Sequence, residues 1–246
     1  MQGFVIQSFR EPPIFKWAMI VCFAASLALI AAALRLWGAA EVRGEFGEVF
    51  SLTFFGFFWI AIFSLLFPWL GLSIEQDIGA SRNPAALVAL FGAVLALATI
   101  YAAGSLGEGP SYWNNIFSAA LGTAVFFALW LVLELGGRMS ASIAEERDLG
   151  SGIRFCGFVL AVALILGRAV AGDWHSESAT VRDFIRDGWP AAALGLFAIC
   201  VEIVLRPSRT RPFPGWRGCG LLPAVVYLSS ASAWVFHLGR WEGMSK

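Results

Sequence analysis

The sequence predicts an all-α fold: a polytopic transmembrane helical bundle of about seven spans, built in part from repeated helix hairpins. Three observations carry this expectation. Of 246 residues, 59% are hydrophobic and only 14% are charged, whereas soluble domains carry close to a quarter charged residues. The charges cluster, leaving apolar stretches near the roughly 20 residues that a bilayer core demands of a helix. Those stretches also lack the alternating apolar and polar pattern of outer-membrane barrel strands.

The spans follow one another with no room for a soluble domain, so residues 1–246 read as a single integral membrane domain. A leading helix covers residues 14–37, with Ala24, Ala28 and Ala32 spaced to form a small-residue face. The first hairpin covers about 49–104; its outgoing span, 49–72, is crowded by Phe54, Phe55, Phe57, Phe58 and Phe63, and its return span, 85–104, aligns Ala85, Ala89 and Ala93. The second covers about 116–171, as spans 116–136 and 153–171, the latter with Ala163, Gly167 and Ala171 on one face. The third covers about 189–238, as spans 189–205 and 221–238. Small-residue faces matter because lipid gives helices little hydrophobic reason to associate, so close approach must do it. Between the second and third hairpins, residues 179–186 read as a short interfacial helix with Val181, Phe184 and Ile185 towards lipid. The N-terminal stretch lacks the plan of a cleaved signal peptide, so the first span is expected to stay.

Arginine and lysine set the expected orientation. Arg10, Lys16, Arg82, Arg138, Arg147, Arg154, Arg206, Arg209, Arg211 and Arg217 fall on the side of the N-terminus; Arg43, Arg182, Arg186, Arg240 and Lys246 fall on the other. The N-terminus is therefore expected in the cytoplasm and the C-terminus outside.

Two stretches, "LVLELGGRMSASIAEERDLGSGIRF" and "ICVEIVLRPSRTRPFPGWRGCGLLP", match without gaps when Glu134 is laid on Glu202; Arg138 then meets Arg206 and Gly150 meets Gly218. An earlier stretch pairs Ser73-Ile74 with Ser142-Ile143 and Ile78-Gly79 with Leu149-Gly150. The reading is one leading helix and three like-oriented hairpins. The stretches "SIEQDIGASRNPAALVALFGAVLALA" and "EERDLGSGIRFCGFVLAVALILG", across roughly residues 50–172, resemble a bacterial inner-membrane family known as domain of unknown function 350. Arg82-Asn83-Pro84 and Gly150-Ser151-Gly152 stand where that family's pattern leads one to expect Gly-Asn, and the leading helix and third hairpin are departures from it. The resemblance implies a bacterial inner (plasma) membrane and no established chemistry.

Candidate chemistry is sparse. Glu134 and Glu202 stand near the ends of their spans, each with an arginine at i+4, Arg138 and Arg206. That spacing places each pair on one helix face, where the arginine reaches the headgroups and holds the acid there. The same residues form the candidate ion or partner site, since an intramembrane carboxylate is a functional candidate by default. Arg209, Arg211 and Arg217 form a basic, proline-broken segment suited to anionic lipid headgroups. Asp173, His175 and Glu177 are the other cluster considered, for an interfacial enzyme, but their spacing fits no ligand motif. The four cysteines show no CxxC spacing. No cofactor or metal motif and no nucleic-acid partner is indicated. The expected function is a non-catalytic membrane subunit packing against lipids and other integral membrane proteins or further copies of itself; the alternative is a small channel or transporter with its acids at the cytoplasmic mouth.

Overall fold

The computed structural model describes residues 13–207 and 215–239, whose secondary-structure elements are all helices. The helices are α1 (Pro13–Trp37), a short α2 (Ala40–Gly44), α3 (Phe46–Ser64), α4 (Pro84–Gly104), α5 (Tyr112–Gly137), α6 (Leu149–Val170), α7 (Glu177–Gly188), α8 (Pro190–Leu205) and α9 (Leu222–Leu238). Among the described residues, six helices are long and apolar enough to cross a membrane, and the number is seven if α7 and α8, bent by 41° at their junction, are counted as one span. The bend has a physical cause. Pro190 occupies the first turn of α8, where a missing donor costs little. The 16 residues of α8 span only about 24 Å at a rise of 1.5 Å per residue.

Consecutive spans alternate in direction, so α1, α4, α6 and α9 run the same way. They form a row in which each packs against the next, with α4 and α6 at its centre. The returning helices α3, α5 and α8 line the row, α5 bridging α4 and α6. Small residues set the spacing of the row. A Cβ at Gly152 would run into the Ala85 carbonyl, one at Gly157 would lie 2.5 Å from the Ala224 Cβ, and one at Gly92 would lie 2.8 Å from the Cys156 Sγ. Ala85, Ala89 and Ala93 are fully buried, as is Ala163.

Three expectations need correction. Ala24, Ala28 and Ala32 are exposed; α1 packs instead through Cys22, Ser26, Ile30 and Leu34. The first outgoing helix stops at Ser64 rather than at residue 72. Pro68 cannot extend an α-helix ladder, and a 3₁₀ turn at Phe67–Leu70 ends on Gly71 at φ +84°. In α7, Ile185 is exposed but Phe184 is buried, because this helix lies against α6.

The connections α3–α4, α5–α6 and α8–α9 gather at one end, and each contains a wide π-type turn, at Ile74–Ala80, Ala141–Glu145 and Arg217–Leu221. The first two are built alike. Ser81 N donates to Gln76 O and Asn83 N to Asp77 O, just as Glu146 N donates to Ala141 O and Asp148 N to Ser142 O. Arg82 and Arg147 both take positive φ, 52° and 57°, and Asn83 and Asp148 then cap α4 and α6. Ser142 thus corresponds to Asp77, not to Ser73, and Leu149-Gly150 to Pro84-Ala85.

Candidate functional site

At the turn end of the bundle a charged network is buried among helices. Arg154, the sixth residue of α6, and Glu202, in the last turn of α8, are both 0% exposed. Arg154 Nε donates to Glu202 Oε2 at 2.9 Å and Nη2 to Oε1 at 2.9 Å. Such a two-pronged guanidinium–carboxylate pair is among the stronger polar contacts available to a protein. Nη2 also donates to Ser151 Oγ at 2.9 Å, and Nη1 to the Cys219 carbonyl in the turn before α9. Ser151 Oγ in turn donates to Asp148 Oδ2 at 2.7 Å, and that carboxylate accepts the Ser151 and Gly150 amides at the start of α6. One guanidinium therefore ties together α6, α8 and the last turn. The backbones meet closely here: a Cβ at Gly220 would sit 2.9 Å from Gly150 Cα.

A second set of ties joins the first two turns. Asn83 accepts the Ala85 and Ala86 amides through Oδ1 and donates through Nδ2 to the Ile143 carbonyl at 2.7 Å. Arg147 reaches back to the Ser81 and Arg82 carbonyls, both at 2.9 Å.

The expected acid–arginine pairs at i+4 do not form. Glu202 turns inward to Arg154, while Arg206 is exposed and meets Glu202 only through the backbone, its amide donating to the Glu202 carbonyl. Glu134, half-buried, accepts the Ser140 amide at 2.8 Å and the Ser140 hydroxyl at 2.5 Å. Arg138 is exposed at φ 52°, closing α5. The physical reason is competition: Glu134 is met by the nearby Ser140 donors and Glu202 by an arginine already buried and held by packing, whereas Arg138 and Arg206 are exposed and would lose side-chain entropy in a surface pair. Arg154, expected among the arginines of the N-terminal side, lies inside α6 and is buried. Its signal was its depth, since in antiparallel spans it stands level with Glu202.

Arg217 is exposed and lies 5.3 Å over the Trp216 ring; Arg209 and Arg211 lie outside the described residues. Near the opposite end, Asp173 accepts the Glu108 amide and Glu177 accepts Trp113 Nε1, so both acids fasten loops, and His175 is exposed. Among the described residues no group of three His, Cys, Asp or Glu side chains is placed to hold a metal ion. No protein-family model, curated protein or solved structure matches this chain.

Chemically, the buried network is a clamp. Every nitrogen of the Arg154 guanidinium has a partner, and the Glu202 oxygens are both engaged. A group already saturated by its own protein is poorly placed to bind or release a ligand.

Proposed function

We propose that this protein is a non-catalytic integral membrane subunit that packs with other membrane proteins, or with further copies of itself, in a complex of the bacterial inner membrane. The observation that carries this reading is the outer face of α3. Phe46, Phe50 and Phe54 stack in succession with ring centroids 6.3 Å apart, and Phe58 continues the ladder at 4.9 Å. All four are exposed. Ordered aromatic ladders present large, stiff apolar surfaces that cost little entropy to bury against a partner. The charged side chains within the bundle, by contrast, are spent on holding it together.

In this reading the turn end faces the cytoplasm with the N-terminus, and the C-terminus lies outside; Arg82, Arg138, Arg147, Arg206 and Arg217 at that end support it. The like construction of the first two turns supports descent from a repeated hairpin, and with it kinship to the domain of unknown function 350. Arg209, Arg211 and Arg217 are the proposed contacts to anionic headgroups.

The test is purification in mild detergent. The native chain should co-purify with membrane partners or as an oligomer, and Phe50→Ala/Phe54→Ala should release them while leaving thermal unfolding of the chain unchanged. A discrete monomer that conducts solute when reconstituted in liposomes would exclude this function.

A further inference from the structure

At the end of the bundle away from the turns, a cleft of about 610 Å³ opens between the α2–α3 junction and the start of α5. Glu41, Glu45 and Glu48 line it, and among the described residues its lining contains no lysine or arginine. Glu48 takes a hydrogen bond from the Tyr112 hydroxyl at 2.7 Å, a neutral donor. The cleft does not stop at the membrane boundary. Leu52, Tyr112 and Asn115 are shared with an apolar groove of about 300 Å³ that runs between α3 and α5, walled by Phe55, Phe58 and Ile62. Across Gly107 and Asn115 it adjoins a smaller hollow of about 50 Å³ lined by Asn114, whose buried Nδ2 has no hydrogen-bond partner among the described residues.

We propose that this two-part cleft binds an amphiphile with a cationic amine headgroup, its chain in the groove between α3 and α5. The volumes fall within the usual range for ligand sites. The division is by depth. Glu41 and Glu45 precede α3, and Glu48 lies in its first turn, where a spanning helix leaves the bilayer. The groove lies further along the same helix, where an acyl or alkyl chain belongs. Charge decides the headgroup: carboxylates with no lining cation attract an ammonium and repel a phosphate. The groove borders the aromatic ladder of α3 through Phe58, which belongs to both, and is separate from the Arg154 clamp.

The experiment uses the purified full chain in detergent with chain-brominated hexadecylamine, and brominated hexadecanol and hexadecyl phosphate as matched probes. Trp59 lines the groove, so the bromines should quench its fluorescence, and this quenching should vanish in Trp59→Phe. The amine should bind about tenfold more tightly than the alcohol, and Glu41→Gln/Glu45→Gln/Glu48→Gln should erase that advantage, each exposed charge contributing a modest share. Ile62→Trp, which fills the groove, should abolish quenching by both while thermal unfolding confirms that the chain is folded. Equal binding of amine and alcohol by the native chain, preference for the phosphate, an advantage that survives the triple substitution, or quenching that persists in Trp59→Phe would overturn the proposal.

Discussion

Arg138 and Arg147 both stand at positive φ, yet replacing each by glycine should have opposite effects. The left-handed region costs an L-residue about 1–2 kcal/mol, partly offset by glycine's larger entropy loss of roughly 0.5–1 kcal/mol. Arg138 is exposed, and its backbone amide keeps its bond to the Glu134 carbonyl whatever the side chain. Arg138→Gly should therefore raise stability by up to about 1 kcal/mol in thermal unfolding in detergent. Arg147→Gly gives up two side-chain bonds to the preceding turn, worth about 1 kcal/mol each, and should lower it. Equal effects of the two would mean that the Arg147 bonds hold nothing. At this scale the sequence revealed which residues are charged inside apolar runs and little about their partners. Spacing along one helix offered Arg206 to Glu202; the actual partner, Arg154, comes from a helix whose adjacency only packing decides.

Whole elements were more legible, with failures that share a cause. Apolar runs located every span; in the structure Pro84 and Pro190 stand in the first turns of α4 and α8. Hydropathy continues past Ser64 because it does not register that Pro68 stops a helix. A small-residue face was correctly taken to mean close packing in α4 and α6, but in α1 the same spacing faces outward, because spacing shows that a face exists and not what lies opposite it. Two predictions belong here. Gly152→Ala should destabilise by about 1–3 kcal/mol through overpacking, since its Cβ meets a backbone carbonyl, whereas Gly218→Ala, whose added Cβ meets none of the described residues within 4 Å, should be tolerated. Asn83→Ala removes a cap worth about 1 kcal/mol and strands the Ile143 carbonyl, so it should lower the unfolding temperature more than an ordinary cap deletion. Both are read by thermal unfolding of the purified variants, and a tolerated Gly152→Ala would show that α4 and α6 are looser than described.

For the whole molecule, alternating spans were expected from composition alone, and seven are reached once α7 and α8 are taken together. How the hairpins hold together was not legible, because the ties are made between turns far apart in the chain: Asn83 and Arg147 join the first turn to the second, and Arg154 joins α6 to α8 and the third. The most direct test of this scheme is a double-mutant cycle on Arg154 and Glu202, followed by unfolding in detergent. Arg154→Met or Glu202→Leu alone should each cost about 3–5 kcal/mol by leaving a buried charge unpaired, and the double substitution should cost far less than their sum. Additive losses, or a Glu202→Leu chain as stable as the native one, would contradict a clamp.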